Sequence, residues 1–170
     1  MKKVCTTLTF LLISGLMFAQ NRTKDQAAIH KQVDAMIYSW NHHNYEDLKN
    51  YTTEDTDWVN VVGMWWKGRK ASQYAHQVYH NTILKTSVCE KKSVNIRFIT
   101  KDVAIVHVVW HFSDPQPVPM PDGSNPGPTD DLSTLVFVNQ QGKWLMTAGE
   151  NVHIVPAAQK FDPVLQMPKN

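Results

Sequence analysis

Cysteine is nearly absent from this chain: its 170 residues include two, Cys5 and Cys89. Cys5 falls in an amino-terminal leader, so a chain that has lost the leader has no partner for Cys89 and forms no internal disulfide. Stability then rests on packing. Long apolar runs are also lacking. The run from Leu8 to Ala19 is shorter than the roughly 20 residues a helix needs to cross a bilayer. Preceded by Lys2 and Lys3 and ending at small Ala19, it is expected to be an export signal over residues 1–20, cut after Ala19 or Gln20. Charge of one sign is equally scarce. Of 17 basic residues two leave with the leader, and the 15 that remain balance 15 acidic ones. No Lys/Arg cluster survives to track a phosphate backbone or an anionic membrane, which excludes nucleic acid and a membrane as partners of the mature chain. Among seven glycines there is no G-x-G-x-x-G, and no flavin or haem attachment motif occurs, so no cofactor is expected.

The 150 residues that follow the leader fit one domain with a sizeable core, spanning 21–155, and a proline-marked extension over 156–170. Ile29, Val33, Met36, Ile37 and Trp40 recur at helical spacing and predict an amphipathic helix over 24–43. A short helix is expected from Asn44, whose side chain would cap it, with Leu48 and Tyr51 facing inward. Residues 57–62 read as a strand. Gly63 and Gly68 bracket a tight turn before a further helix with Ala71, Tyr74, Ala75, Val78 and Tyr79 as its apolar stripe. From residue 86 the period becomes extended. Val94, Ile96 and Phe98 alternate with polar residues, and "VAIVHVVWHF" is apolar on both faces. Six prolines and two glycines in 113–130 keep that stretch out of any sheet ladder, as an exposed loop. "DLSTLVFVN" and "WLMTAGENVHIV" then form a hairpin across "QQGK".

Helices followed by a run of strands argue for an α+β fold, with helices covering one face of a curved antiparallel sheet. One helix layer leaves the other sheet face bare. Its apolar side chains predict a homodimer.

Several runs together resemble the SgcJ/EcaC family: "WNHHN" at 40–44, "DWVNVVGMWWKGR" at 57–69 within a wider "EDTDWVNVVGMWWKGR", His76 and His80, "DVAIVH" at 102–107, and "W…AGEN" over 144–151. The likeness covers about residues 25–155. It implies a cone of the nuclear-transport-factor-2-like fold group, which includes ketosteroid isomerases and polyketide cyclases. The family pattern has aspartate where Asn44 stands, and histidine or glutamine where Glu150 stands. The family's label of oxidoreductase has no counterpart among the cofactor motifs.

Trp58 and Asn60 share a strand face; inside a cone they would set an amide beside an aromatic wall, and otherwise Asn60 satisfies nearby backbone. His76 and His80, four apart on a helix, fit three roles. They are a metal pair awaiting His107 or Glu150, a general base with a hydrogen-bond donor, or structural groups. "HQVYH" lacks the metalloprotease glutamate, and no metal is assigned. His107 shares a face with His111, away from Trp110, and is either a pocket group or a core histidine bonded to backbone. Glu150 and Asn151 face opposite ways unless a bulge, which Gly149 permits, intervenes. The resemblance implies Asn151 inside, and Glu150 is the carboxylate candidate for acid–base work. Of Trp65 and Trp66, which point oppositely, one would cap the cavity mouth, with Trp65 the expected ligand contact.

The expectation is thus an exported small-molecule pocket protein of the SgcJ/EcaC type, doing acid–base chemistry on a small carbonyl or polyketide-like compound. His76, His80, His107 and Glu150 are its catalytic candidates, and Trp58, Asn60, Trp65 and Asn151 its ligand contacts. The alternative is a non-catalytic ligand-binding or association module.

Overall fold

The computed structural model describes residues 2–113 and 129–168, with only the backbone of residues 2–21. The side chains of the expected leader and most of the proline-rich stretch lie outside the described residues. The elements are α1 (Lys2–Asn41), a 3-10 turn (Leu48–Asn50), β1 (Thr52–Val59), β2 (Trp65–Lys67), α2 (Gly68–Asn81), β3 (Cys89–Phe98), β4 (Val103–Phe112), β5 (Thr129–Gln140), β6 (Lys143–His153), α3 (Pro156–Gln159) and a second 3-10 turn (Pro163–Gln166). Six strands form one curved, unclosed sheet in the order β2-β1-β6-β5-β4-β3. The fold is α+β. One pair departs from the antiparallel expectation: β1 runs parallel to β6, because no hairpin joins these two strands to dictate their direction.

α1 lies on the sheet through the predicted stripe. Ile29 and Val33 are fully buried, and Met36, Ile37 and Trp40 pack against the same core. The helix stops in a Schellman motif. Asn44 N–H donates to Ser39 O (3.1 Å) and His43 N–H to Trp40 O (3.0 Å), while His43 takes the left-handed conformation at φ 51°. The helix expected from Asn44 is instead a 3-10 turn, since Asn44 Oδ1 accepts from Glu46 N–H (2.9 Å) and closes a local turn. Leu48 and Tyr51 do face inward.

α2 corrects the sequence reading more deeply. Tyr74 is 73% exposed and Val78 39%, whereas Ser72 and His80 are buried with His76 half-buried between them. The helix turns its hydrogen-bonding face inward. On β4, Ala104, Val106, Val108, Trp110 and Phe112 fill the core, and Ile105, His107 and Val109 occupy a half-buried outer face. The β5–β6 hairpin turns at Gln141 and Gly142, both at positive φ (55° and 85°), as the primed two-residue turns require.

β6 carries the feature that sets the site. Val136 pairs with Ala148 and Phe137 with Met146, so Thr147 is an extra, bulged residue. Trp144 and Met146 before it and Gly149 after it are all buried, with Asn151 next on the same inward face. The extension beyond β6 is exposed, Phe161 and Leu165 included.

Candidate functional site

Between α1, α2 and the inner face of the sheet lies a cavity of about 50 Å³. One water needs roughly 10–15 Å³ by the same measure, so the space holds a few waters or a comparable part of a small molecule. Its wall is aromatic, with Trp40, Tyr45, Trp58 and Trp110, and contains no Lys, Arg, Asp or Glu among the described residues.

His76 sits in this wall. Its ring stacks on Tyr45 (centroids 4.8 Å) and meets the edges of Trp58 (5.3 Å) and Trp66 (5.0 Å). Nδ1 lies 2.7 Å from Ser72 O. A carbonyl only accepts, so Nδ1 carries the hydrogen and the neutral ring keeps a lone pair on Nε2. Burial pushes His76 down to about 4, against the smaller opposing effect of the Ser72 bond, so the ring is neutral above that pH.

A second chain of bonds fixes Asn151. Trp110 Nε1–H, which only donates, reaches Ser133 Oγ at 2.6 Å, and Ser133 Oγ–H then donates to Asn151 Oδ1. That sequence of donors makes no use of the Asn151 Nδ2 hydrogens, and Asn151 lines the cavity. Thr56 Oγ1, Ser72 Oγ and Trp40 Nε1 are buried there too, with no hydrogen-bond partner among the described residues. Such groups cost roughly 1–3 kcal/mol each when left unpaired, which favours a guest with oxygen acceptors.

Two tyrosines connect the cavity to hydrogen-bonded chains. Tyr51 Oη–H donates to Ser39 Oγ (2.9 Å), and Ser39 Oγ–H lies 2.7 Å from Asp47 Oδ1. Tyr45 Oη lies 3.1 Å from His80 Nε2, and His80 Nδ1 lies 2.8 Å from His43 Nδ1. Burial raises Tyr45 well above 10, and it lowers His80 to about 3 with help from His76 and His43. Both stay neutral near pH 7. Cys89, also in the wall, is pushed up to about 12 by burial and the Asp131 carboxylate, which leaves it a protonated thiol.

The chain is 32% identical to an uncharacterised protein with a cystatin-like fold from Caulobacter vibrioides, over 84% of this chain and 98% of that one, with a TM-score of 0.77. This chain belongs to the cystatin-like fold family. The cystatin-like architecture is also shared with an NTF2-like protein from Novosphingobium aromaticivorans, at 15% identity over 86% of this chain and 94% of that one, TM-score 0.68. A hexachlorocyclohexane dehydrochlorinase, LinA-type3 from Novosphingobium barchaimii, matches at 13% identity over 79% and 90%, TM-score 0.62. No protein-family model and no curated protein matches the chain.

Of the residues singled out in the sequence, the cystatin-like cone brings Trp58, His76 and Asn151 to the cavity wall and sets His80 behind Tyr45. Four others lie elsewhere. His107 is on the outer face of β4, paired across to Asn95 and Thr134, because its strand phase is opposite to Trp110. Glu150 is exposed, because the Thr147 bulge turns Asn151 inward in its place. Asn60 lies beyond β1, where its Oδ1 accepts from Val62 N–H (3.1 Å) and Met64 N–H (2.9 Å) to build the β1–β2 turn. Trp65 is 56% exposed under Lys67 Nζ (3.9 Å), and Trp66 is the neighbour that reaches His76. A metal pair at His76 and His80 has no third ligand from His107 or Glu150. Among the described residues no group of three or more His, Cys, Asp or Glu is placed to hold a metal, and no helix is long and apolar enough to cross a membrane.

Sequence reading missed Tyr45, Thr56, Ser72 and Ser133. The available signal was polar side chains at buried phases: Thr56 two before Trp58 on β1, and Ser72 four before His76 on α2.

Proposed function

We propose that this protein takes a proton from carbon in a small, uncharged, mostly apolar molecule held in the cavity. His76 Nε2 is the base. The C–H bond breaks, its proton passes to Nε2, and the electron pair enters an enolate or expels a leaving group on the next carbon. Asn151 Nδ2 donates to the atom that gains negative charge. One observation carries this reading: Ser72 O fixes the hydrogen on Nδ1, so His76 lines a wall without Lys, Arg, Asp or Glu as a neutral ring whose Nε2 is unprotonated. Negative charge developing beside the new imidazolium offsets the desolvation that holds His76 at about 4. A dehydrochlorinase among the structural neighbours lends support to base chemistry on such a scaffold. The same reading takes the chain as an exported member of the SgcJ/EcaC family with residues 1–20 as leader. It pairs two copies through the outer sheet face that carries Ile105, Val109 and Val136.

The test uses a neutral probe, cyclopentanone in deuterium oxide, with α-proton exchange followed by NMR. Wild type should exceed His76→Gln by about 10²-fold, in the range of general-base catalysis. Equal rates would refute the assignment. Quenching of tryptophan fluorescence by the ketone without exchange would favour a binding module.

A further inference from the structure

The Schellman position at the end of α1 is the ordinary place for glycine, because a Cβ in the left-handed region is unfavourable by roughly 1–2 kcal/mol. Here it holds His43, at φ 51°. What the imidazole gains there is a partner: Nδ1 meets His80 Nδ1 at 2.8 Å, and His80 Nε2 meets Tyr45 Oη at 3.1 Å. Gln77 holds both ends of the segment on α2, with Nε2–H donating to His43 O (2.9 Å) and Oε1 accepting from Tyr45 N–H (3.0 Å). His43 is half-buried, His80 is buried, and Tyr45 is buried in the cavity wall.

We propose that His43, His80 and Tyr45 form a proton wire between the surface and the cavity, with Tyr45 as the group that exchanges a proton with the substrate. The proposal rests on the reading that acid–base chemistry takes place in this cavity. Two neutral nitrogens 2.8 Å apart must be one donor and one acceptor, so the chain has two arrangements. In the first, Tyr45 O–H donates to His80 Nε2, His80 Nδ1–H donates to His43 Nδ1, and His43 keeps its hydrogen on Nε2. In the second every hydrogen has moved along by one. His43 Nδ1–H donates to His80 Nδ1, His80 Nε2–H donates to Tyr45 Oη, and the Tyr45 hydroxyl hydrogen is free for a guest.

Passing from the second to the first gives the guest one proton from Tyr45. Tyr45 is refilled from His80 Nε2, His80 Nδ1 from His43 Nδ1, and His43 Nε2 takes one from water, leaving a hydroxide that the proton released by His76 neutralises when the base is reset. All three groups start and end neutral, so the wire itself stores no charge in the apolar wall, and the one charge formed there is the His76 imidazolium. His80, held near 3 by burial, relays by exchanging tautomers without becoming an imidazolium. A leaving group expelled as His76 takes its proton would receive this one and depart neutral. His43 and His80 act through Tyr45 and are positioning residues.

Exchange of the Tyr45 hydroxyl proton with water tests the wire, read by NMR saturation transfer on the full chain without ligand. The variant is His43→Gly, which places the favoured residue in the left-handed position and opens room for free imidazole. Exchange should slow at least tenfold, the melting temperature should hold or rise, and added imidazole, at a concentration that leaves wild type unchanged, should restore the rate. An unchanged exchange rate overturns the wire, as does slowing that imidazole does not rescue. His80→Gln, which keeps His43 in place, should slow exchange equally and resist rescue; wild-type exchange in this variant also overturns the proposal. Because the readout needs no turnover, loss of ketone exchange in His76→Gln with His43-independent hydroxyl exchange would sink the wire alone. The reverse pattern would sink the base assignment alone.

Discussion

Lowering the pH from 7 to 5 should destabilise the fold through two imidazoles that are buried neutral. His76 and His80 fall from 6.5 to about 4 and about 3 in the folded chain, both chiefly by desolvation. The unfolded chain protonates them near 6.5 and the folded chain does not, so it is the unfolded state that binds protons in this window. Stability is therefore full above 6.5 and falls as the pH drops from 6.5 toward 4 and 3. At pH 5 each ring contributes a loss of about 2 kcal/mol, about 4 kcal/mol for the pair. For a domain of this size that is a fall in melting temperature of roughly 8–16 °C. Asp131 works against the trend, since burial raises its carboxyl and folding takes up a proton there as the pH falls. Comparing wild type with a His76→Gln/His80→Gln double variant cancels that effect, because both carry Asp131. Thermal melts by circular dichroism at pH 7 and pH 5 should show the wild-type drop exceeding that of the variant by about the amount above. Parallel drops would mean that the two rings are solvated, and the neutral base with them.

Gly149 has a local consequence. A Cβ there would sit 2.6 Å from a Trp58 ring carbon and 3.1 Å from Leu135 Cδ2, so Gly149→Ala should cost about 1–3 kcal/mol by overpacking and weaken ketone quenching of tryptophan fluorescence, measured by urea unfolding and titration. Glu150→Gln and His107→Gln, whose side chains lie outside the cavity, should leave cyclopentanone exchange within about twofold of wild type; a loss as large as that of His76→Gln would place the chemistry on the wrong face of the sheet.

The parts of this fold that were legible in the sequence are those where one period governs one face. Ile29 and Val33 declare α1 because they are fully buried apolar side chains at helical spacing, and the alternation of buried apolar residues along β4 and β5 declares those strands in the same way. α2 was misread because its inward face is polar: Ser72 and His76 line the cavity, His80 is buried in bonds to Tyr45 and His43, and Tyr74 is left to solvent, the reverse of the rule that places apolar residues inside. Asn60 and Trp65 were misplaced by the early end of β1 at Val59, a boundary set by Asn60 accepting from two backbone amides of the turn. The Tyr45 chain was invisible for another reason. Its bonds join residues 35 and 37 positions apart, and no local spacing encodes them.

The single extra residue at Thr147 acts as a parity switch for the cavity. Unbroken alternation from Met146 would send the carboxylate of Glu150 inward and the carboxamide of Asn151 out. A descendant that absorbed its surplus residue on the far side of position 150 would thus acquire an acidic chamber while keeping every side chain it already has. Ionic character here is decided by counting along one strand.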